Sequence, residues 1–311
     1  MSWDPRALPH AVGKTVMITG ANAGIGYFAS EQLAAAGAHV ILGCRSPERA
    51  EAAVAAIRRR VPGAIVEATP IDVSDPRSVT QAAETLLERD RLDVLMLNAG
   101  IVHPPATRAT DARGNELVLS TNVIGHFQLA ALTMPLLARS AGARVVSLGS
   151  LATLLSRFPL DGLQLEKSYT SWTAYAQSKI ALQVFGFELD RRLRASGTGV
   201  SSLVVHPGYS TSGRTPGIRG VNHPSRAKRF ADNLQAAWTQ GKDRGAWSAV
   251  RAAIDPDAAG GQFYGPRFVT KGEPALAPAA PTTRSPRVGA RLWTLLEEYS
   301  GQTFELSSRT P

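Results

Sequence analysis

Short apolar runs alternate with longer segments of helical periodicity over the first two-thirds of the chain. The runs that read as strands are residues 15–18, 40–42, 64–68, 94–97, 144–148 and 200–205. The segments that read as helices between them are residues 27–36, 47–60, 76–89, 116–139 and 172–195. Strands separated by helices pair in parallel through right-handed crossovers. The pattern predicts an α/β fold, a doubly wound parallel sheet of about seven strands with helices on both faces, in a single domain.

A glycine-rich stretch, Thr19-Gly20-Ala21-Asn22-Ala23-Gly24-Ile25-Gly26, lies where the first strand passes into the first helix. Such a tight turn needs residues without a Cβ clash, and a phosphate can approach a backbone that carries no side chain. The following helix directs unpaired N–H groups and the positive end of its dipole to the same place. This context favours a pyrophosphate cradle for a dinucleotide. The alternative is a strand–helix connection without a ligand.

Composition narrows the class of protein. The 311 residues are 44% hydrophobic and 19% charged, which is ordinary for a globular protein. The single cysteine, Cys44, excludes an intramolecular disulfide and favours a reducing, cytoplasmic location. No run reaches the roughly 18 to 20 apolar residues of a membrane span. We expect neither a signal peptide nor a metal site.

The chain is basic. Its formal net charge is +9, from 34 Lys and Arg against 25 Asp and Glu. A basic surplus is compatible with nucleic acid, anionic lipid or anionic ligands. Nucleic-acid binding usually concentrates the charge in one patch with interleaved aromatic residues. Here the arginines are scattered, apart from a denser region at residues 209–247, so we expect no nucleic-acid partner.

Further motifs follow the predicted strands in a fixed order. They are Asn98-Ala99-Gly100 after the fourth strand, Asn122 in the fourth helix, Ser150 after the fifth strand, Tyr175-Ala176-Gln177-Ser178-Lys179 in the next helix, and Pro207-Gly208 after the sixth strand. With the glycine-rich stretch, they resemble the short-chain dehydrogenase/reductase family over roughly residues 13 to 270. Each motif alone is common, but the ordered set is specific. The resemblance implies a Rossmann-type fold and a dinucleotide-dependent oxidoreductase.

Spacing and flanking residues are similar to one branch of that family, the retinol-dehydrogenase-like branch with its bacterial-type oxidoreductases. Ser150 precedes Tyr175 by 25 residues, which is longer than the commoner family spacing. The other shared stretches are Gly13-Lys14-Thr15, Leu163-Gln164, His206-Pro207-Gly208-Tyr209-Ser210, and Asp255-Pro256 with Tyr264-Gly265-Pro266. The branch implies retinoids, lipid-like aldehydes, steroids or varied ketones as substrates, and it leaves the choice among them open.

Tyr175 and Lys179 lie on one face of their predicted helix because they are one turn apart. Free tyrosine has a pKa of about 10, and a lysine cation beside it, with the nicotinamide charge, is expected to favour the phenolate. Tyr175 would exchange a proton with a carbonyl or alcohol oxygen while hydride moves between nicotinamide and carbon. The resemblance implies that Ser150 hydrogen-bonds that oxygen, Lys179 holds the nicotinamide ribose, and Asn122 holds a relay water. The alternative is a packed Tyr175 and a solvated Lys179.

The end of the second strand bears on the choice of dinucleotide. NAD enzymes place an acid there for the ribose 2′-OH, whereas NADP enzymes use a cation. Cys44 stands at that position and Arg45 follows, so NADP(H) is favoured over NAD(H), with Asp72 at the adenine edge. The alternatives are an exposed helix-start arginine and a loop acid. The predicted cofactor-binding residues are Gly20, Asn22, Ala23, Gly24, Ile25, Gly26, Arg45, Ser46, Asp72, Val73, Asn98, Ala99, Gly100, Tyr175, Lys179, Pro207, Gly208 and Ser210.

Residues 209–247 stand where the family has a substrate lid, and they read as helix from 225 to 240. Their charged residues are Arg214, Arg219, Arg226, Lys228, Arg229, Lys242 and Arg244 against Asp232 and Asp243. One hypothesis is an anionic or carrier-bound substrate; the alternative is a solvated basic face. The apolar residues expected to line the pocket, with at least one of them in the core, are Phe230, Leu234, Trp238 and Trp247.

The C-terminal stretch, residues 273–311, is expected to form an irregular proline-rich loop to residue 286 and a helix over 288–299. That helix would cover the pocket or pack on a partner subunit. The resemblance implies a homodimer or homotetramer formed by the two long helices around Asn122 and Tyr175.

The expected activity is that of an NADP(H)-dependent carbonyl reductase or alcohol dehydrogenase acting on a small molecule. A second class is a catalytically silent NADP-binding regulator on the same fold, which has no chemical need for all four catalytic residues together. A third is an epimerase or dehydratase, whose sugar-nucleotide types usually have a shorter glycine motif and a larger C-terminal domain.

Overall fold

A computed structural model describes residues 3–154 and 158–306. Its strands are β1 (Thr15–Thr19), β2 (His39–Cys44), β3 (Val66–Pro70), β4 (Val94–Leu97), β5 (Arg144–Leu148), β6 (Ser201–Val205), β7 (Ser210–Thr211), β8 (Gln240–Gly241), β9 (Phe263–Pro266) and β10 (Pro274–Leu276). Its α-helices are α1 (Gly24–Ala35), α2 (Pro47–Arg60), α3 (Pro76–Leu87), α4 (Leu117–Leu119), α5 (Gly125–Arg139), α6 (Ser171–Ser196), α7 (Arg226–Leu234), α8 (Lys242–Gly245), α9 (Trp247–Ile254), α10 (Pro281–Arg284) and α11 (Pro286–Ser300). A π-helical turn, Ser120–Ile124, joins α4 to α5, and a 3₁₀ turn spans Leu151–Leu154.

The central sheet has eight strands in the order β10-β9-β6-β5-β4-β1-β2-β3. All neighbours pair in parallel except β10, which runs antiparallel to β9 at the edge. The predicted doubly wound Rossmann-type sheet is confirmed, with one more strand than expected. The sequence pattern missed β9 and β10 because both are short, and β10 begins at a proline in the stretch expected to be irregular. An edge strand tolerates that proline because its N–H group is not needed by a second neighbour.

The chain order reverses between β1 and β4, so ligands are expected at the carboxyl ends of these strands. Side chains along β1 alternate between the two faces of the sheet. Met17 packs into the core covered by α3, α5, α6 and α11, whereas Val16 and Ile18 pack into the core covered by α1, α2 and α9. The sheet is therefore buried on both faces, which fixes the positions of the strand ends to which the site residues are attached.

Local signals set the helix boundaries. Ser46 and Asp75 accept the backbone N–H groups of Arg49 at 3.4 Å and Arg77 at 3.0 Å, and a proline follows each cap. These are the helix starts that the sequence predicts. A C-terminal signal ends α6: Gly197 takes the left-handed conformation, with a φ of 68°.

One helical stretch of the described residues, Leu117–Arg139, is long and apolar enough to cross a membrane. However, 78% of its most apolar window is buried inside the fold. Phe127 in this stretch makes edge contacts with the rings of Phe185 and Trp293, at centroid distances of 5.6 and 5.3 Å. The stretch is thus a core helix of this fold.

The C-terminal half differs from several sequence expectations. The helix of the lid region ends at Leu234 rather than near residue 240, and α9 was not predicted. The expectation that an apolar lid residue joins the core is wrong: Phe230, Leu234 and Trp238 are 70%, 68% and 49% exposed, and Trp247 is only partly buried.

The final helix, α11, packs on α5 and α6 with Leu292, Trp293 and Leu296 in the core. Its role toward the pocket or a partner subunit stays a prediction. The last part of the predicted C-terminal stretch, residues 307–311, lies outside the described residues.

Candidate active site

The carboxyl ends of β1, β4, β5 and β6 bring four loops together. They carry the glycine-rich stretch, the segment from Asn98 to Ile101, Ser150, and the turn at Pro207. Helix α6 passes behind the β5 loop and presents one face to it. The residues that the sequence places in six separate motifs therefore meet at one edge of the sheet.

Three of the predicted catalytic residues are in direct contact or one turn apart. The Tyr175 hydroxyl donates to Ser150 Oγ at 3.1 Å. One turn along α6, Lys179 Nζ donates to the carbonyl of Leu148 at 2.8 Å, two residues before Ser150. Helix and strand end thus present a phenol, a hydroxyl and an ammonium group together, as the helical spacing predicts.

Burial sets the protonation of this group. It raises the pKa of Tyr175, and the hydrogen bond to Ser150 offsets part of that rise. It lowers the pKa of Lys179 to about 8, because a charged amine is unfavourable in an apolar interior. The sequence argument expects Lys179 and the nicotinamide charge to lower the pKa of Tyr175, whereas burial in the protein alone acts in the opposite direction. With this raised pKa, Tyr175 is a protonated phenol at neutral pH.

Asn122, in the π-helical turn, lies near Lys179 of α6. Its side-chain Oδ1 accepts the backbone N–H of Ile101 at 2.7 Å, and its Nδ2 donates to Ser178 Oγ at 2.8 Å. Gly100 lies between Asn122 and Lys179. A Cβ at this position would be 2.9 Å from Asn122 Oδ1 and 3.6 Å from Lys179 Nζ. The side chain of Asn122 therefore fixes the β4 loop against α6.

A histidine that the sequence analysis did not single out connects this turn to the glycine-rich stretch. His126 is fully buried, with Nδ1 3.0 Å from the Asn122 carbonyl and Nε2 2.9 Å from Thr19 Oγ1. The carbonyl can only accept, so Nδ1 carries the proton and Thr19 donates to Nε2. Burial lowers the pKa of His126 to about 4, which keeps the ring neutral. Thr19 Oγ1 also accepts the N–H groups of Asn98 and Ala99, each at 3.0 Å.

The glycines of the first loop have two different tasks. A Cβ at Gly20 would lie 2.8 Å from Ala99 Cα, and one at Gly26 would lie 2.4 Å from Asn98 Nδ2. Close packing therefore requires glycine at both positions. Gly24 instead has a φ of +61°, and a Cβ there would meet only the side chain of Lys242, at ordinary contact distances of 3.8 and 3.9 Å. Its helix, α1, begins after Ala23 with no side-chain cap and no acid in its first turn. This uncapped helix start fits an anionic group such as a dinucleotide pyrophosphate.

A lysine from far along the chain lies in front of that helix start. The Nζ of Lys242 would be 3.9 Å from a Cβ at Gly24. Helix α8 holds it there, since Gln32 on α1 donates to the Asp243 carbonyl at 2.8 Å. Burial lowers the pKa of Lys242, and the positive charge of Lys228 lowers it further. The sequence analysis counted Lys242 among the lid cations; the structure places it at the glycine-rich loop.

At the end of β2, Cys44 is buried with a pKa raised to about 11, whereas the Arg45 side chain is 78% exposed. Arg45 Nη1 lies 3.6 Å from Asp72 Oδ2. Asp72 also accepts the backbone N–H and the hydroxyl of Ser74, at 3.0 and 2.6 Å. The two predicted adenine-side residues are thus brought together, next to the Ser46 cap of α2.

Val73, another predicted cofactor residue, is buried and packs against the start of α5. A Cβ at position 125 would clash with the Val73 carbonyl.

The turn after β6 closes the site on its far side. Gly208 has a φ of +66°, and a Cβ there would lie 2.3 Å from the Thr270 carbonyl, so only glycine fits. Ser210 donates to the Pro207 carbonyl at 2.9 Å, which tightens the turn. The same carbonyl accepts Gln240 Nε2 at 3.0 Å. No group of three or more metal-ligating side chains occurs within residues 3–154 and 158–306.

Comparison with known proteins agrees with this arrangement. The family model described as short chain dehydrogenase matches residues 14–219. Human retinol dehydrogenase 13 is 39% identical over 217 residues, which cover 68% of this chain and 64% of that protein. Mouse retinol dehydrogenase 14 is 34% identical over 302 residues, covering 93% of this chain and 86% of that protein. The match to the human protein spans less than two-thirds of its length.

Solved structures are similar over most of the chain. A structure of an uncharacterized protein from Mycobacterium Paratuberculosis has a TM-score of 0.80 and 34% identity, covering 98% of this chain and all of that one. The Pseudomonas aeruginosa RhlG/NADP complex has a TM-score of 0.61 and 25% identity, covering 82% and 95% of the two chains. With its fold, motifs and relatives, the chain belongs to the short-chain dehydrogenase/reductase family of NAD(P)-dependent oxidoreductases, on its retinol-dehydrogenase-like side.

Proposed function

We propose that the protein is an NADP(H)-dependent oxidoreductase that interconverts a ketone or aldehyde and the corresponding alcohol, with Tyr175 as general acid and base. The observation that carries the proposal is the contact of the Tyr175 hydroxyl with Ser150 Oγ at 3.1 Å, one helical turn from Lys179. Proton transfer to a carbonyl oxygen needs a donor within hydrogen-bond reach of that oxygen, and this contact supports Tyr175 as the donor. A catalytically silent regulator would need none of this geometry.

The chain's own residues divide the chemistry as follows. Ser150 Oγ hydrogen-bonds the reacting oxygen and fixes its position beside the phenol. Tyr175 delivers its proton to that oxygen in the reducing direction and takes it back in the oxidising direction. Burial raises the pKa of Tyr175, so the proton needed in the reducing direction is present at neutral pH. Lys179 bonds the end of β5 and Asn122 bonds Ser178 of α6. Their proposed roles are to hold the nicotinamide ribose and a relay water, respectively. The bound nicotinamide supplies or accepts the hydride.

The preference for NADP(H) rests on Arg45, and Lys242 adds a contact to the pyrophosphate, which both dinucleotides carry. Arg45 stands exposed beyond β2, where a 2′-phosphate would be recognised, and no acid occupies the Cys44 position. Lys242 faces the uncapped start of α1, where we infer that the pyrophosphate binds. Asp72, whose side chain is 28% exposed, pairs with Arg45. Its carboxylate would therefore contact both Arg45 and the adenine.

The substrate is proposed to be a lipophilic carbonyl compound or alcohol. The names of the relatives, retinol dehydrogenases, support this class. Trp172, which is 54% exposed, stands with its ring centroid 6.4 Å from that of Tyr175 and offers an apolar wall beside the acid. The cytoplasmic location, the homo-oligomer and the anionic or carrier-bound substrate stay predictions.

The test is a pair of measurements on the wild-type protein and on Tyr175→Phe. Titration with NADPH and with NADH, followed by nicotinamide fluorescence, is expected to give at least about tenfold tighter binding of NADPH. Tyr175→Phe should bind NADPH as tightly and lose reduction of aldehydes and ketones. Residual turnover near the wild-type rate in that variant, or binding of neither dinucleotide, contradicts the proposal.

A further inference from the structure

Helix α7 turns its apolar side to solvent. Phe230 and Leu234, one turn apart, are 70% and 68% exposed. Trp238, in the turn that follows the helix, is 49% exposed. The inward side of the helix is polar instead, with Asp232 only 2% exposed. A helix at the surface of a globular protein ordinarily has the opposite arrangement.

Polar contacts fix this orientation. Asp232 accepts the backbone N–H of Gly213 at 2.7 Å and Lys228 Nζ at 2.6 Å. Arg229 Nη1 lies within hydrogen-bonding distance of the carbonyls of Gly213 and Thr215, at 3.4 and 3.3 Å. Rotating α7 to bury Phe230 would break these contacts and leave a carboxylate without partners, which is costly. The exposure of the apolar side is thus built into the fold.

A second apolar projection adjoins the first. Phe268 and Val269 are 68% and 52% exposed, at the tip of a loop in which Val269 has a φ of 64°. A β-branched residue rarely adopts this conformation, so the loop is held in a specific shape. Lys271 Nζ donates to the Ala236 carbonyl at 3.2 Å, which ties the loop to the end of α7.

Tyr209 lies between these projections and the active site. Its N–H donates to the Thr270 carbonyl at 2.7 Å, and its side chain is 46% exposed. It follows directly on the turn of Pro207 and Gly208. We name the whole set the lid surface, and its members are Tyr209, Phe230, Leu234, Trp238, Phe268 and Val269.

The charges around the lid surface are positive. Exposed Arg226 and Arg267 flank its apolar side chains, and exposed Lys228 pairs with Asp232. The acid of α7, Asp232, is buried and paired. A twofold contact with a second copy of this chain would set these cations against each other. Exposed aromatic and aliphatic side chains with flanking cations fit instead the interface of a bilayer that contains anionic lipids.

We propose that the lid surface docks this protein on anionic lipid bilayers. In that orientation Tyr209, which follows the turn of Pro207 and Gly208 at the candidate active site, faces the membrane, so that a lipophilic molecule would reach the site from the bilayer. The docking goes beyond the proposed function and does not depend on it, since vesicle binding is measured without turnover.

The experiment is co-sedimentation of the full chain with vesicles of phosphatidylcholine alone and of phosphatidylcholine mixed with phosphatidylglycerol, at low and high salt. Binding is expected to the mixed vesicles and to weaken with salt. The double variant Phe230→Ser/Leu234→Ser is expected to lose at least about tenfold in partition coefficient, because both side chains leave water on docking. The matched control is Ile65→Ser/Leu276→Ser, whose side chains are each 62% exposed outside the lid surface and should not matter.

Both double variants alter exposed residues, so unchanged circular dichroism and melting temperature are expected and checked. Equal vesicle binding of Phe230→Ser/Leu234→Ser and the wild type overturns the proposal, and so does absence of binding to mixed vesicles at low salt. A concentration-dependent dimer that the lid variant abolishes, with no vesicle binding, overturns it in favour of self-association. Loss of vesicle binding in the lid variant with NADPH affinity unchanged supports it.

Discussion

Replacing Lys242 with methionine is expected to weaken NADPH binding while leaving the fold intact. The Nζ group faces the open side of Gly24 at the uncapped start of α1, and no acid pairs with it among the ion pairs of the described residues. A charge-assisted hydrogen bond contributes about 1.5–3 kcal/mol. Since Lys242 is only partly buried, we take the lower half of that range. This corresponds to a Kd raised by roughly ten- to fortyfold.

The same substitution is expected to act in the opposite direction on the protein without dinucleotide. Burial and the nearby charge of Lys228 both lower the pKa of Lys242, so its cation is unfavourable there when no anion is present. Methionine removes that cation at similar length. The free energy of unfolding should therefore stay equal or rise slightly while NADPH affinity falls. This pairing of effects distinguishes a phosphate contact from general damage.

The assay is titration of NADPH by fluorescence at two salt concentrations, together with thermal unfolding of the protein alone. Lys14→Met is the matched control, because Lys14 precedes β1 at the amino end of that strand. The glycine-rich loop follows the carboxyl end, so the length of the strand, about 17 Å, separates the two. It should leave both the Kd and its salt dependence unchanged. A Kd of Lys242→Met within about twofold of the wild type, or an equal change in the control, refutes the reasoning.

Other substitutions probe the remaining parts of the site. Tyr175→Phe should lower kcat by about 10²–10⁴-fold with NADPH affinity unchanged, and stopped-flow turnover checks this. Arg45→Ala should weaken NADPH but not NADH, and equal loss of both would contradict the 2′-phosphate assignment. Lys179 has its pKa lowered to about 8, so its burial cost is fully present below pH 8 and disappears toward pH 10.5. Lys179→Met should abolish turnover yet raise the melting temperature at pH 7, with a smaller gain at pH 9.5. His126, with a pKa lowered to about 4, should make the wild type lose stability from pH 6.5 down to pH 4. His126→Gln should flatten that loss in denaturant titrations.

Much of the fold follows from the sequence because its signals are local. Buried parallel strands read as continuous apolar runs, and Ser46 and Asp75 cap their helices with neighbours two or three residues away. Tyr175 and Lys179 share a face of α6 for the same reason. The order of motifs then places their residues at strand ends, and parallel strands present those ends at one edge.

The sequence by itself therefore determined the doubly wound architecture, the glycine-rich helix start and the shared face of Tyr175 and Lys179. The tertiary structure alone decided contacts between distant residues: His126 with Thr19, 107 positions earlier, and Lys242 with the loop of Gly24. It also decided which side of α7 faces inward. The spacing of Phe230 and Leu234 predicts burial, but Asp232 meets the backbone N–H of Gly213 only in the folded chain. Periodicity records which residues share a face, whereas the direction of that face depends on partners that folding brings in from elsewhere.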